Sequence, residues 1–281
     1  MHKVLILGGS GLLGTAFIGE LNRHSEYRVH ATYFDIPLLL NYDRSYKMSI
    51  EDPDNLCGIL DAVKPHSVVS CLRGDFNKQL ALHARVAEYL RKTGGRLYFL
   101  STVNVFDSDR RRPHDEGDAP DSCTDYGQYK IACEKSMTGI LRENACILRL
   151  PQVWGAGAPR LNQLLRSLQN EERIVVYPKL FFNATTDVMV AKQLRYIMEH
   201  RLTGIFHLAA EDVVSHRDFY KGLITGLGFS QAEIKETLAE EGYFALASRR
   251  KGEFPGGLRL TNQAVIDYVA GVSARSAGSR R

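Results

Sequence analysis

Short apolar runs alternate with longer segments of helical spacing through the first half of the chain. The apolar runs predict strands at residues 3–7, 28–33, 67–72, 96–100 and 145–150. The amphipathic segments between them predict helices at residues 15–23, 52–60, 76–92 and 126–144. Helices that alternate with strands in this way indicate a parallel sheet, with ligands bound beyond the carboxyl ends of its strands.

The pattern becomes less regular beyond Pro151. A further strand at residues 204–208 is predicted to return to the main sheet. Helices are predicted at residues 161–168, 187–200, 216–227, 231–240 and 261–268. Disorder is expected in the tail, residues 271–281, because unanchored chain ends are a usual place for it.

A glycine-rich turn joins the first predicted strand to the first predicted helix, with Gly8, Gly11 and Gly14 spaced by two residues. In such a turn one glycine permits the tight bend, a second lets the backbone approach a pyrophosphate, and a third lets the helix pack close to the strand. The helix N-terminus then presents free N–H groups and a positive dipole end to the phosphates. The predicted cofactor contacts here are Gly8, Ser10, Gly11, Leu12, Leu13 and Gly14.

These features predict an α/β fold, with a doubly wound parallel sheet of the Rossmann type and a smaller C-terminal substrate lobe. We assign residues 1–155 to the dinucleotide-binding domain, with a return segment at about 183–215. Residues 156–270 are assigned mostly to the substrate-binding lobe.

The end of the second strand bears on the choice of cofactor. An acidic residue about 20 positions past the glycines usually binds the adenosine ribose hydroxyls, and Asp35 is the candidate. However, the apolar alternation ends at Thr32 or Tyr33, before that acid. Without an acid at the strand tip a 2′-phosphate would not be repelled, and Arg44 or Lys47 could pair with it. We therefore expect NADP, with NAD as the alternative, and name Tyr33 and Asp35 as cofactor contacts.

A second group of polar residues lies where the strand predicted at residues 96–100 ends and the helix predicted at residues 126–144 begins. Ser101 and Thr102 fall at the ligand edge of the sheet, and Tyr126 and Lys130 share one helix face. A tyrosine pKa near 10 falls when an ammonium is close, and lowering it to 7 takes about 4 kcal/mol. Tyr126 is therefore a candidate proton donor that Lys130 tunes.

The composition of the chain argues against several classes of protein. The chain has 281 residues and a net charge of +4, but Arg275, Arg280 and Arg281 lie in the tail, so the body is nearly neutral and nucleic acid is not expected as a partner. No apolar run approaches the length of a membrane span, and we expect no signal peptide, because the first apolar run is short and ends in glycines. The five cysteines have no paired spacing, which fits a reduced, cytoplasmic protein. No metal site is expected, because the histidines lack ligand spacing.

The glycine turn, the Ser101-Thr102 pair and the Tyr126-Gly-Gln-Tyr-Lys130 stretch together resemble the extended short-chain dehydrogenase/reductase superfamily. Within it, Ser101-Thr-Val-Asn-Val-Phe-Asp107 is similar to the S-T-D-Y-V-F-D stretch of dTDP-4-dehydrorhamnose reductases. The later segments that also match are 147–149, 153–155 and 204–208. The resemblance implies an enzyme that reduces a keto group with NAD(P)H. It also implies a small-molecule substrate, which is a 4-keto-6-deoxy nucleotide sugar. It also implies a catalytic triad of Thr102, Tyr126 and Lys130, with Lys130 also binding the cofactor.

Several positions depart from the pattern of that family. In the family, small residues usually lie at the end of the strand that corresponds to residues 67–72. The residues here are Cys71, Leu72 and Arg73, which we take as cofactor contacts. The aspartate, the tryptophan and the late Arg-Pro pair of the family are replaced by Val103, by Gln152 and by the region of Arg249, which we take as substrate contacts. The substrate diphosphate is expected to pair with Arg160, Arg166, Lys179 or Arg249.

Two alternative functions use the same motifs. An epimerase or dehydratase of nucleotide sugars would use the triad while keeping its cofactor bound. A non-catalytic, NADP-binding regulatory subunit would resemble the regulatory subunit of methionine adenosyltransferase. Whether the protein is a reductase or an epimerase or dehydratase, a homodimer is also expected.

Overall fold

The computed structural model describes residues 1–38 and 44–278, and its central layer is a seven-stranded sheet. The strands are β1 His2–Leu7, β2 Tyr27–Tyr33, β3 Ser45–Lys47, β4 Ser67–Ser70, β5 Arg96–Thr102, β6 Ala145–Leu150, β7 Gln152–Trp154, β8 Ile174–Val176, β9 Leu180–Phe182, β10 Ala184–Thr186, β11 Gly204–His207, β12 Val214–Ser215, β13 Ile234–Glu236 and β14 Gly242–Phe244. The α-helices are α1 Leu12–Leu21, α2 Pro53–Val63, α3 Phe76–Thr93, α4 Asp125–Leu141, α5 Pro159–Gln169, α6 Asp187–Glu199, α7 His216–Gly226 and α8 Asn262–Gly278.

The main sheet has the order β11-β6-β5-β4-β1-β2-β3, and all its neighbouring strands are parallel. The chain runs outward from β1 through β2 to β3, then returns to the other side of β1 and runs through β4, β5 and β6. The doubly wound Rossmann sheet is therefore confirmed. The direction reverses between β1 and β4, which is where ligands bind in folds of this type.

Apolar helix faces cover both sides of the sheet. On one side α1 and α6 pack through Phe17, Leu21 and Leu194 against the strands. On the other side α2, α3 and α4 bury residues such as Leu60 and Val86. The prediction that residues 204–208 return to the main sheet is confirmed, because β11 pairs with β6.

The remaining strands are short and build a separate lobe. They form three small sheets, β10-β7, β12-β9-β14 and β13-β8, around a core that includes Trp154 and Phe219. The helix predicted at residues 231–240 is wrong, because Ile234–Glu236 pairs as β13 with β8. Its residues favour helix intrinsically, and pairing in the lobe overrides that preference.

The tail also differs from the prediction. Helix α8 continues from Asn262 to Gly278, so residues 271–278 are helical instead of disordered. The apolar residues Val265 and Val269 anchor its first half in the lobe core, and a helix that is anchored at one end propagates at little further cost. The predicted disorder of residues 279–281 falls outside the described residues.

A buried ion pair joins α4 to the sheet. Arg149 of β6 forms two hydrogen bonds with the Glu134 carboxylate of α4, at 2.7 Å from Nη2 and 3.0 Å from Nε. The Ser101 hydroxyl at the end of β5 donates to the same carboxylate. Arg149 is 1% exposed and Glu134 is 5% exposed, so water competes little for these bonds.

The same ion pair connects to the far edge of the sheet. His207 of β11 accepts a hydrogen bond from Arg149 through Nε2 at 3.4 Å, while its Nδ1 lies 2.8 Å from the Ala247 carbonyl oxygen. Burial, with the Arg149 charge beside it, lowers the pKa of His207. The Glu116 carboxylate then accepts hydrogen bonds from the His207 and Arg249 backbone amides, which ties in the loop after β5.

We expect Arg149→Ala to lower the free energy of unfolding by about 3–5 kcal/mol, because it leaves the Glu134 carboxylate buried without a counter-ion. Arg91→Ala is the control, since Arg91 pairs with Glu88 on the surface, where such a pair contributes at most about 1 kcal/mol. Urea denaturation of both variants measures the difference. Equal destabilisation of the two variants would contradict the central role of the buried pair.

Candidate active site

The glycine turn after β1 has the geometry of a phosphate-binding turn. Gly8 has a φ of +81°, and a Cβ there would lie 2.9 Å from the Cys71 carbonyl oxygen. A Cβ at Gly14 would lie 2.3 Å from the Gly8 carbonyl oxygen, so α1 can approach the turn only without a side chain at this position. The turn is also held by β2, because the Gly8 amide donates to the Thr32 hydroxyl at 3.0 Å.

The N-terminus of α1 is open toward the cleft. Gly11 is its N-cap residue, and no side chain within the described chain caps it. Uncapped N–H groups and the positive end of the helix dipole favour an anion at this place. Gly11, Leu12, Leu13 and Gly14 line the cleft, and Ser10 lines the neighbouring cavity, so the structure brings the predicted turn residues together.

The end of β2 distinguishes between two of the predicted cofactor contacts, Tyr33 and Asp35. A cavity of about 540 Å³ lies beside the glycine turn and is lined by Thr32, Tyr33 and Phe34. Strand β2 ends at Tyr33, whereas Asp35 is exposed beyond it and lies outside the residues that line this cavity. The structure thus places Tyr33, but not Asp35, at the predicted cofactor site. Lys47 at the end of β3 pairs in register with Tyr33 but is not among the residues that line this cavity, whereas the acids Glu51 and Asp75 are.

A cleft of about 680 Å³ opens at the carboxyl edge of the sheet. It is lined by Thr102 from β5, by Tyr126 and Lys130 from α4, and by the glycine turn. The loop after β4 contributes its predicted cofactor contacts to this cleft, and these residues are Cys71, Leu72 and Arg73. Gln79 of α3 fixes that loop, since its amide donates to the Gly74 carbonyl oxygen at 2.7 Å.

Capping interactions hold Tyr126 next to Thr102. Thr124 caps α4 by accepting from the Gly127 amide, and its hydroxyl donates to Asp107 at 2.6 Å. Asp107 directly follows the 3₁₀ turn Val103–Phe106 that begins after Thr102. The start of α4 is therefore tied to the end of β5.

The Tyr126 hydroxyl is accessible and protonated. Tyr126 is 39% exposed, and partial burial raises its pKa, while the Thr102 hydroxyl and the Arg73 charge oppose that shift. This differs from the expectation that Lys130 lowers the pKa of Tyr126, because the cation that acts on the hydroxyl in this structure is Arg73. A raised pKa keeps the phenol in the form that can donate a proton.

Lys130 is the most deeply buried cation of the cleft. It is 7% exposed, and its ammonium donates to the Leu100 carbonyl oxygen at 2.8 Å. The Phe99 ring lies 4.5 Å away and the Tyr126 ring 5.8 Å away. Burial lowers the pKa of Lys130 to about 8, so the side chain is charged at neutral pH but holds its proton weakly.

The three predicted substrate contacts do not lie together. Gln152 lines the cleft, whereas Val103 is 4% exposed and packs with Phe106. Arg249 forms an ion pair with Asp115 at 2.8 Å and is not among the residues that line the cleft. Its role as a substrate contact stays a prediction, and the contacts with Glu116 and Asp115 hold this segment. Other polar residues also line the cleft: Arg160, one of the four cations expected to pair with the substrate diphosphate, and residues that the sequence analysis did not name, such as Asn104 and Gln163.

A larger cavity, of about 1000 Å³, lies at the opposite, amino-terminal edge of the sheet. Its cations, such as Lys64, Lys92 and Arg201, lie where α2, α3 and α6 end. Positive charges at helix C-termini complement the helix dipoles. This placement explains the cations of that edge without a ligand.

We expect Lys130→Met to raise the free energy of unfolding at pH 7 by up to about 3 kcal/mol, because a pKa lowered from 10.5 to about 8 means that the folded state disfavours the charge. The cost of the charge is complete below pH 8 and disappears as the pH rises to about 10.5, so the gain should shrink over that interval. Lys135→Met, on the exposed side of α4, is the control. Urea denaturation of both variants at pH 7 and at about pH 10.5 measures the gain. A gain that does not change with pH would contradict this account.

Comparison with known proteins places this geometry in a family. Residues 75–251 match the RmlD substrate binding domain. A dTDP-4-keto-6-deoxy-D-glucose reductase of Streptomyces niveus is 25% identical over 216 residues, which are 72% of this chain and 71% of that protein. Methionine adenosyltransferase 2 subunit beta of Danio rerio is 28% identical over 235 residues, which are 75% of this chain and 69% of that protein.

A solved structure agrees with the fold. The dTDP-4-dehydrorhamnose reductase of Bacillus anthracis str. Ames, in complex with NADP, has a TM-score of 0.79 at 18% identity and covers 95% of this chain and 98% of that chain. The resemblance found in the sequence is therefore confirmed. Since the family match spans more than half of the chain, this protein belongs to the RmlD substrate binding domain family, within the extended short-chain dehydrogenase/reductase superfamily.

Proposed function

We propose that this protein is an NADPH-dependent reductase of a keto group on a 4-keto-6-deoxy nucleotide sugar. The observation that carries the proposal is the convergence of Thr102, Tyr126 and Lys130 in one cleft, directly beside the glycine turn. Residues 1–155 with about 183–215 form the cofactor domain in this proposal, and residues 156–270 form most of the substrate lobe. Reductases among the relatives support the reaction class.

The residues of the cleft fit a dinucleotide. The left-handed Gly8, the close approach at Gly14 and the open N-terminus of α1 provide a backbone surface for phosphates. Arg73 borders both the cleft and the cavity beside β2, so its guanidinium can pair with a cofactor phosphate. The nicotinamide supplies the hydride when the cofactor is bound.

The side chains of the cleft supply the proton that the reduction requires. The Tyr126 hydroxyl holds the proton that the carbonyl oxygen requires, since its raised pKa keeps it neutral. The Thr102 hydroxyl lies beside it. It donates to the Asn104 side-chain oxygen at 2.8 Å, and it orients the substrate oxygen when it turns its hydrogen bond from Asn104 to the substrate. The Arg73 charge acts on the Tyr126 hydroxyl and favours the tyrosinate that remains after proton donation, while the Lys130 ammonium lies 5.8 Å from the Tyr126 ring.

The two alternatives differ from this proposal in what the cleft must do. A regulatory subunit like the methionine adenosyltransferase relative needs to bind a dinucleotide but needs no proton donor, so the retained triad favours an enzyme. An epimerase or dehydratase would retain the cofactor through turnover and would not consume it. Net consumption of NADPH therefore separates the reductase from both.

Location and assembly remain predictions from the sequence. No helix within residues 1–38 and 44–278 has the length and apolar character to cross a membrane. A cytoplasmic location and a homodimer are parts of our proposal that rest on the sequence alone.

Tyr126→Phe is expected to reduce kcat by about 10²- to 10⁴-fold, because it removes the proton donor, while the dissociation constant for NADPH stays within a few-fold of wild type. Tyr129→Phe is the matched control, since that hydroxyl donates to Gln79 at 3.0 Å and not to the cleft centre. Steady-state kinetics and cofactor titration measure both effects. Activity of Tyr126→Phe close to wild type would remove Tyr126 from the mechanism.

NADPH is expected to bind about tenfold more tightly than NADH or better, because β2 ends at Tyr33, with Lys47 next to it in register, and Asp35 lies outside the cavity. Lys47→Ala should weaken NADPH and leave NADH unchanged, and Asp35→Asn should leave NADH unchanged. Fluorescence titration with both reduced cofactors measures these constants. Tighter binding of NADH that is lost in Asp35→Asn would reverse the cofactor assignment.

A further inference from the structure

Three aromatic rings stand together in one wall of the cleft. Phe76, the first residue of α3, lines the cleft with Tyr126 and Tyr129 of α4. The Phe76 ring is stacked on the Tyr129 ring, with the centroids 4.7 Å apart and the planes at 6°. The Phe76 centroid also lies 5.9 Å from the centroid of Tyr126, the proposed proton donor. The phenyl ring of Phe76 is therefore a neighbour of the reacting group.

The surrounding structure holds Phe76 in place. Asp75 is the N-cap of α3, and its side chain accepts from the Lys78 amide at 2.9 Å, so the start of the helix is fixed. Tyr129, on which the Phe76 ring is stacked, is 7% exposed, and its hydroxyl donates to Gln79 at 3.0 Å. A ring that already rests on a fixed partner loses little further freedom when a ligand binds to it.

The fold nevertheless leaves part of this ring uncovered. Phe76 is 37% exposed. The apolar residues of the same helix that belong to the core are at most 1% exposed, and they include Leu82, Val86 and Leu90. Since Phe76 lines the cleft, a ligand in the cleft can remove its remaining apolar surface from water, which is favourable.

Other neighbours of the Tyr126 hydroxyl are polar. The Thr102 hydroxyl lies beside it and donates to Asn104 at 2.8 Å, and the Arg73 charge acts on it. These groups suit the oxygens of a substrate. Phe76 offers no hydrogen bond, so it suits a substituent that needs none.

The proposed substrate has such a substituent beside its carbonyl group. In a 4-keto-6-deoxy sugar, carbon 6 is a methyl group, and it is attached to the ring carbon next to the carbonyl carbon. When the carbonyl oxygen accepts the proton of Tyr126, this methyl group is held within a few bond lengths of the same hydroxyl. The apolar neighbour of the proton donor and the apolar neighbour of the carbonyl group therefore meet in one part of the cleft.

We infer that Phe76 contacts the methyl group of the substrate and so selects a 6-deoxy sugar over one with a hydroxymethyl group at the same carbon. This inference rests on the proposed function, and it names the side chain that recognises the deoxygenated carbon. A hydroxyl group placed against the phenyl ring loses its hydrogen bonds to water without a replacement. A methyl group has none to lose and gains from burial.

The test is a binding titration of the full chain, with NADPH present, against dTDP-6-deoxy-D-glucose and dTDP-D-glucose. Both ligands carry a hydroxyl group in place of the keto group, so neither is reduced, and they differ only at carbon 6. Wild type is expected to bind the 6-deoxy sugar about 10- to 100-fold more tightly. Phe76→Ala should lower this ratio to about threefold or less, because the apolar contact is lost.

Two further variants separate the contact from a structural effect. Phe76→Leu keeps an apolar side chain without the stack, and it should retain most of the preference. Phe181→Ala is the matched control, because Phe181 is also stacked on a tyrosine, Tyr243, with the centroids 5.3 Å apart, but is not among the residues that line the cleft. It should keep the wild-type ratio.

The outcomes are distinct from those of the reductase proposal. The inference is overturned if wild type binds neither sugar or binds both equally, or if Phe76→Ala weakens both sugars by the same factor, as a displaced Tyr126 would. If Phe76 controls the preference but no keto-sugar nucleotide consumes NADPH, the reductase proposal fails while the contact stands. If NADPH is consumed and the preference is unchanged in Phe76→Ala, the inference fails while the reductase proposal stands.

Discussion

The buried pair of Glu134 and Arg149 is the constraint on which the cleft depends. It joins α4, which carries the proton donor, to β5 through Ser101 and to β6 through Arg149 itself. Because both charges are removed from water, their positions are narrowly determined, and a shift of either would leave an unpaired charge inside the sheet. The cleft wall is rigid for this reason, although the loops above it are exposed. His207 extends the same control to the edge strand β11.

The strands and helices that have a regular pattern of apolar residues could be predicted from the sequence. Strands such as β1 and β5 are continuous apolar runs between helices, so their buried positions identify them. The three-residue strands of the lobe carry no such signal, and residues 231–240 looked helical until pairing with β8 decided otherwise. Strand β3 was missed for the same reason, since only its register with β2 defines it.

The site could be predicted where its residues follow a strand or share a helix face. The glycine turn, Thr102, Tyr126 and Lys130 were found in this way, and the structure brings them into one cleft. Arg249 could not be placed from the sequence, because its position depends on the Glu116 and Asp115 contacts far away in the chain. Arg160, Arg166, Lys179 and Arg249 could not be distinguished from the sequence, and only the position of α5 places Arg160 in the cleft wall.

The charged side chains that line the cleft within the described chain are all cations, Arg73, Lys130 and Arg160, and this has a kinetic consequence. In a body that is otherwise nearly neutral, a concave surface with only positive charges concentrates the electric field at its opening. Anionic cofactor and substrate are then drawn to the same entrance from beyond contact distance, and both association rates fall as ionic strength rises and the Debye length shortens toward about 8 Å. Once one anionic ligand is bound, its charges reduce the field that attracts the other, so the second association rate should depend less on salt than the first.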